Sequence, residues 1–340
     1  MKKILIVTQK VNMKDPILGF FHRWIIEFAK HYSQVTVICL EQGRHDLPDN
    51  VKVLSLHKEL GVSKLKYVWN FYKYIWQERK NYDLVFVHMN QEYILLGCIF
   101  WMIIGKKILL WRNHPMGSYL TKLAVLWSDQ VFCTSKQSFT ARYSKTQIMP
   151  VGIDTDFFTK QVMDQKPNSI VVVSRISPIK NIHLIIEALK ILAVDGVKFT
   201  ADFYGDCLPK DKEYCSQILN RVSEAGMTDF VRFNAAIPNH KTPEIYSSHE
   251  VFINATPSGS LDKTIFEAGA CETFVITSNQ SLSDVLPKES VFMENDPENL
   301  AQNIKNYFSL SSDHKSILVK QIHDFVLEKH SLKKLVKMIS

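Results

Sequence analysis

Three features of the 340-residue chain predict two doubly wound α/β domains in tandem. Short β-rich apolar runs alternate with longer helical patterns from end to end, the rhythm of βαβ units whose parallel sheets are covered by helices on both faces. The rhythm stops once, at Met149 to Lys166, where MPVGIDTDFFTKQVMDQK holds a proline, a glycine and several aspartates without periodicity, and then begins again. The length also fits two domains at about 150 residues each.

The first domain, residues 1–166, opens with the strand KILIV and the helix GFFHRWIIEFAKH, followed by the strands QVTVICL and VKVLSL. A helix over KLKYVWNFYKYIWQERK leads to the strand DLVFVH. An apolar helical stretch from Tyr93 to Gly105 precedes KKILLW, and QVFCTS closes the series. The second domain, residues 167–318, runs through SIVVVSRIS, the helix NIHLIIEALKIL, then KFTADFYG, FVRFNA, EVFINA, TFVITSN and VFMEN. The tail from Ser312 to Ser340 reads as helical. Open sheets of this kind bind ligands at the carboxyl ends of their strands, so a cleft is expected between two such domains facing one another.

With 46% hydrophobic and 22% charged residues, no repeat and no low-complexity tract, the composition is that of an ordinary globular protein. Six scattered cysteines without a CxxC pair, several inside apolar runs, read as reduced core residues of a cytoplasmic protein rather than a disulfide or zinc framework. MKKILIVTQK reads as a first strand, not an export signal. Tyr93 to Gly105 falls short of the roughly 20 residues that a membrane span requires.

The net charge of +7 is concentrated in the N-terminal half: residues 1–165 hold 22 Lys or Arg against 13 Asp or Glu, and all six tryptophans precede residue 128. On the helix 64–80, Leu65, Val68, Trp69, Tyr72, Ile75 and Trp76 form one apolar face, expected to pack on the sheet. Tyr67, Phe71 and Tyr74 form another, interleaved with Lys66, Lys73, Arg79 and Lys80. That second face fits either a helix buried on both sides or a contact with an acceptor or an anionic membrane surface. No nucleic-acid-reading motif accompanies the basic residues, so nucleic acid is not expected as a partner.

Two segments carry chemistry. In VVVSRISPIKNIHLIIEAL, Arg175 follows a buried strand and Lys180 immediately precedes a helix. Two cations so placed suit a diphosphate, through the bidentate geometry of arginine and the point charge of lysine. Two solvated loop cations are the plainer reading. In PSGSLDKTIFEAGA, Ser258, Gly259 and Ser260 precede a helix whose free N–H groups suit an anion. One turn further in, Glu267 stands among Phe266, Ala268 and Ala270, where a carboxylate needs a partner, and a vicinal diol such as a ribose would supply one. Asp262 and Lys263 flank the helix start, where a helix-dipole partner and a surface lysine are the plainer readings.

The order VGIDTDFF, SRISPIKN, IYSSHEVFINATPS and FEAGAC resembles the GT-B-fold retaining glycosyltransferases of family 4 over essentially the whole chain. The resemblance implies two Rossmann-like domains facing a central cleft, with residues 319–340 as a last helix crossing back to the N-terminal domain. By that resemblance Arg175 and Lys180 hold the nucleotide diphosphate and Glu267, the second glutamate of an E-x7-E motif, holds the donor ribose. His114 reaches the transferred sugar, with a structural histidine as the alternative, and Gly19 lies in the loop near diphosphate and acceptor. Backbone groups near Ala236 and Ile237 read the base. The first glutamate of that motif is replaced by Gly259. Either Asp262 supplies the carboxylate from the loop Ser258, Gly259, Ser260, Leu261, Asp262, Lys263, or the site has lost activity.

The function so implied is transfer of a hexose-like sugar, with retention, from a nucleotide diphosphate sugar to a sugar, glycan or lipid-linked acceptor in cell-surface polysaccharide or glycolipid synthesis. No cofactor or metal is expected, and no cluster of metal ligands stands out in the sequence. The expected location is cytoplasmic, peripheral to the inner face of the cell membrane. A non-catalytic GT-B partner subunit and a nucleotide-sugar epimerase are the alternatives. A nicotinamide dehydrogenase is set aside because no G-x-G-x-x-G follows the first strand.

Overall fold

The structure is a computed structural model describing residues 1–15, 17–259 and 261–340. The chain forms two compact units, residues 1–152 with 332–340, and residues 153–331.

The first unit runs β1 (Lys3–Val11), α1 (Phe20–His31), β2 (Gln34–Gln42), β3 (Val51–Ser55), α2 (Lys64–Gln77), β4 (Leu84–His88), α3 (Glu92–Ile103), β5 (Lys107–Trp111), α4 (Tyr119–Trp127), β6 (Gln130–Cys133) and β7 (Thr146–Ile148). Its seven strands pair in parallel in the order β3-β2-β1-β4-β5-β6-β7. β4 is buried throughout, which is why its sequence lacks polar alternation. One face of the sheet is covered by α1 and by α11 (Leu332–Ile339), where Trp24, Phe28 and Leu335 share a core. The other face is covered by α2, α3 and α4, around Phe71, Trp101 and Val125.

The second unit runs β8 (Lys166–Val173), α5 (Ile182–Val194), β9 (Thr200–Tyr204), α6 (Lys212–Glu224), β10 (Val231–Asn234), α7 (Thr242–Ser247), β11 (His249–Asn254), α8 (Lys263–Ala270), β12 (Phe274–Thr277), α9 (Pro297–Phe308) and α10 (Ser312–His330). Its five parallel strands take the order β10-β9-β8-β11-β12. In both sheets the strand order reverses beside the first strand of the unit, between β1 and β4 and between β8 and β11. A crevice opens at such a switch point, outside the carboxyl ends of the strands.

Several features differ from the sequence reading. VFMEN forms no strand, only a single bridge from Thr277 to Val291. The segment 153–166 belongs to the second unit, and only residues 332–340 of the tail join the first. α10 stays on α8, where Gly269 lets it come close: a Cβ there would lie 2.8 Å from Ile322 and 3.2 Å from Val326. Cys207 and Cys215 are joined in a disulfide with Cα atoms 6.4 Å apart. Their spacing of eight residues spans a loop and the start of α6, a pairing no CxxC signal announces. Cys39, Cys98, Cys133 and Cys271 are free and buried.

Apart from Ile75, which packs inward as expected, α2 presents the opposite face to the one expected. Asn70, Phe71 and Ile75 are buried, Tyr67 and Tyr74 pack partly against the same core, and Leu65, Trp69, Tyr72 and Trp76 face outward. The inward face has partners for its polar groups. Asn70 donates to the Leu56 carbonyl at 3.4 Å, Tyr74 Oη meets His57 Nε2 at 3.4 Å, and Phe71 sits 5.8 Å from the ring of Tyr93 and 5.9 Å from that of Trp101. Phe71 therefore offers no surface to a membrane or an acceptor.

Candidate active site

A charged cluster gathers at the switch point of the second sheet, where the loops after β8 and β11 meet. After Val173 the chain passes the exposed Arg175 and makes a 3₁₀ turn over Pro178–Lys180. Asn181 ends that turn in the left-handed conformation, φ 49°, and its side-chain amide donates to the Ala255 carbonyl at 3.0 Å, tying the two loops together. Gly205 allows β9 to end hard against β8, because a Cβ there would lie 1.8 Å from the Ser174 carbonyl oxygen.

The Lys180 ammonium points back over the end of β11. It forms a close ion pair with Asp262 and donates to Thr256 Oγ1 at 3.2 Å. Asp262 Oδ2 also accepts from the Asn254 amide at 3.1 Å and from Thr256 Oγ1 at 3.4 Å. Burial alone would raise this carboxyl, but the charge and hydrogen bond of Lys180 and the Asn254 amide outweigh it and hold Asp262 below the ordinary aspartate range. Asp262 occupies the N-cap position of α8 without capping through its side chain. Arg175, five residues before Lys180, makes no hydrogen bond or ion pair through its guanidinium among the described residues.

Glu267 lies one turn further along α8 and is only 4% exposed. Asn239 Nδ2 donates to Oε1 at 3.2 Å and the Tyr246 hydroxyl donates to Oε2 at 3.3 Å. Burial raises its pKa, opposed by the nearby Lys263 ammonium and by these two donors. Burial likewise lowers Lys263, opposed by Glu267 and Asp262. The structure thus brings Lys180, Asp262, Lys263 and Glu267 into one electrostatic neighbourhood. A carboxylate carries more lone pairs than two donors use, so Glu267 keeps acceptor capacity for a further hydroxyl.

Gly259 has φ +131°, with open space where a Cβ would be. A glutamate would fit sterically there yet would strain the backbone, so this loop is built around glycine. Ser258 is fixed on both sides: its amide donates to Glu294 at 2.8 Å and its hydroxyl accepts from the Gln280 amide at 2.8 Å. Leu261 is half-buried, and Ser260 lies outside the described residues. Ile237 is half-buried in the loop after β10. The neighbouring Ala236 amide already donates to Asp206 Oδ1 at 2.9 Å, so of the two backbone groups expected to read a base this one is engaged.

Two further expected residues lie in the first unit. Gly19 is the N-cap of α1, where a Cβ would fall 2.4 Å from the Asp15 carbonyl oxygen, a contact only glycine permits. His114 is exposed in the loop after β5 and receives the Met116 amide on Nδ1 at 3.0 Å. Asn239, Tyr246, Asn254, Thr256 and Asp206 went unnoticed in the sequence. Each stands in or just after a strand, or in a short helical turn, and only the fold shows that it faces the cluster. Asn254 and Thr256 flank the end of EVFIN, which was the one available signal.

Residues 154–321 match the family model of glycosyl transferases group 1. The matched segment contains Arg175, Lys180, Asp262 and Glu267. Over 132 residues the chain is 26% identical to the UDP-N-acetylglucosamine–peptide N-acetylglucosaminyltransferase GtfA subunit of Streptococcus gordonii, covering 39% of this chain and 24% of that relative. The chain thus spans about a quarter of that relative's length.

Among solved structures, Anabaena HepE in complex with UDP is similar with a TM-score of 0.79 at 18% identity, over 99% of this chain and 98% of that one. The sucrose-phosphate synthase of Thermosynechococcus elongatus gives a TM-score of 0.77 at 15% identity, over 99% and 97%. With these likenesses, the two Rossmann-like units of this chain have the GT-B fold.

Proposed function

We propose that the protein is a retaining glycosyltransferase of family 4 that moves a hexose-like sugar from a nucleotide diphosphate sugar to a glycan or lipid-linked acceptor. The observation that carries this reading is the charged cluster at the β8/β11 switch point, inside the segment matched by glycosyl transferases group 1. HepE, whose structures hold UDP and UDP-glucose, makes a uridine donor the first to test.

In this reading Arg175 and Lys180 bind the diphosphate and stabilise the charge it takes up as the glycosidic bond breaks. The acceptor hydroxyl attacks from the same face, and the departing diphosphate takes its proton. Glu267 accepts from the ribose hydroxyls and Ile237 lines the base. The loop from Ser258 to Lys263 faces the sugar phosphates, and His114 and Gly19 of the first unit serve sugar and acceptor. This chemistry uses the chain's own cations and calls for no metal or other cofactor.

The ion pair between Lys180 and Asp262 gives the donor a second task. While Lys180, Asn254 and Thr256 converge on Oδ2, they hold the Asp262 carboxylate over the end of β11. A diphosphate that engages Lys180 weakens that hold and frees the carboxylate to take the place left empty at Gly259. A non-catalytic partner subunit is the competing reading, favoured by that same glycine.

The test is release of UDP from UDP-glucose with an added glycan acceptor, with NMR of the anomeric centre in the product. UDP release dependent on acceptor, with the donor's configuration kept, supports transfer. An epimerised sugar nucleotide formed without acceptor points to the epimerase. No turnover with any donor favours the partner subunit.

A further inference from the structure

The first unit carries an apolar surface of a kind that water-facing helices rarely leave open. Along α2, Leu65 is 83% exposed, Trp69 67% and Trp76 57%, spaced so that they form one stripe. On α3, Ile99, Met102 and Ile103 are exposed, the last by 78%, and Glu92 is the helix's one charged residue. The two helices are joined at this surface: the Tyr72 hydroxyl donates to the Leu96 carbonyl at 2.9 Å, and the rings of Trp76 and Phe100 lie 5.9 Å apart. Leu126 on α4, 65% exposed, extends the surface past α3.

Basic residues rim this surface. Lys66, Lys73 and Lys80 recur every seventh residue beside the tryptophan stripe, and the Arg79 guanidinium lies 4.2 Å from the Trp76 ring. Between the ends of α3 and α4 a concavity of about 680 Å³ places Lys107 beside Met102, Leu126 and Asp129, while the Lys145 ammonium is held by the carbonyls of Val125, Leu126 and Ser128 and that of Lys106 by the Tyr82 carbonyl. From residue 61 to 127 the sequence has nine Lys or Arg against three Asp or Glu. Of those three acids, Glu78 is buried and paired with Lys52 at 2.6 Å.

We infer that the outer surface of α2, α3 and α4 docks on an anionic lipid bilayer. Trp69 and Trp76 would sit at headgroup level, Leu65, Ile99 and Ile103 would enter the acyl boundary, and the lysines would meet lipid phosphates. Charge complementarity selects this occupant over a second copy of the chain, since a two-fold pairing would bring one basic rim against another. No helix among the described residues is long and apolar enough to cross a membrane, so the contact lies in the plane of the interface. This inference stands apart from the sugar-transfer reading.

The test is flotation with vesicles of phosphatidylcholine alone and of equal parts phosphatidylcholine and phosphatidylglycerol, with sedimentation equilibrium run in parallel. The wild type should be monomeric and float with the anionic vesicles only. The triple variant Trp69→Ser, Trp76→Ser, Ile103→Ser should stay at the bottom while keeping its circular-dichroism melting curve. Changing Lys66, Lys73 and Lys80 together to Gln should weaken association about a hundredfold, at about fivefold for each lysine near the surface. Absence of wild-type flotation, or flotation of the triple variant equal to wild type, overturns the inference. So does a dimer that the triple variant converts to monomer without changing vesicle binding.

Discussion

The two units differ in where their most unusual residues gather. The second buries charge and pairs it: Lys180 with Asp262, Glu267 with Asn239 and Tyr246, and His249 with Asp202 at 3.0 Å. The first leaves tryptophan, isoleucine and leucine in the open on three adjacent helices. Buried polar groups held by partners specify the geometry of a small polar ligand site, whereas an open apolar surface is suited to an extended partner. The contrast supports the two proposals: donor chemistry centred on the second unit, with His114 and Gly19 of the first unit contributing, and membrane docking on the first.

The sharpest way to break this comparison is to unpair a buried charge in the second unit. His249→Leu leaves the Asp202 carboxylate buried with only the Asn234 amide, at 3.4 Å, and should destabilise the protein by about 3 to 5 kcal/mol in urea unfolding. The His249 hydrogen bond, first among its causes, holds Asp202 below the ordinary aspartate range. Its contribution is therefore present above that range and lost as the pH falls through the folded value. The wild type should lose its advantage over the variant on acidification.

A smaller effect follows for the candidate site. Lys180→Met and Asp262→Leu, alone and together, should show a coupling of about 1 to 3 kcal/mol, since each single change strands a largely buried partner. Additive effects would mean that the two charges do not support one another.

Glu267 has the opposite sign to Asp202. Its folded pKa is raised by burial, so between the ordinary glutamate range and neutrality the folded chain binds more protons than the unfolded one. Stability therefore falls as pH rises through that window. Glu267→Gln should flatten this part of a pH–stability profile, and an unchanged slope would show that Glu267 is ionised throughout. The smallest effect belongs to the first unit: Trp76→Ser, which gives up only the ring contacts with Phe100 and Arg79, should shift stability by no more than about 1 kcal/mol.

The alternation of strands and helices was legible because buried parallel strands read as unbroken apolar runs, KILIV and DLVFVH among them, and the fold follows. Arg175, Lys180, Asp262 and Glu267 were picked out for standing at strand ends or inside an apolar helix, and all four fall in the second unit. Their partners Asn239, Tyr246, Asn254 and Thr256 were not, because hydrogen bonds across 8 to 76 positions leave no local pattern. The face of α2 was misread for a related reason. Periodicity offered two apolar stripes, and the choice between them rested on partners for Asn70, Tyr74 and Phe71 that lie elsewhere in the chain. VFMEN meets β12 only at that strand's last residue, Thr277, so the pairing stops at a single bridge and no strand forms.

The central claim, a nucleotide-sugar donor site at the β8/β11 switch point, is tested most directly by calorimetric titration of UDP, GDP, ADP and dTDP into the wild type and Arg175→Ala. Arg175 is exposed and unpaired among the described residues, so its removal should leave the fold intact. The account predicts selective binding of one nucleotide, UDP first among them, and its loss in the variant. Absence of binding by all four, or binding unchanged in Arg175→Ala, would contradict it.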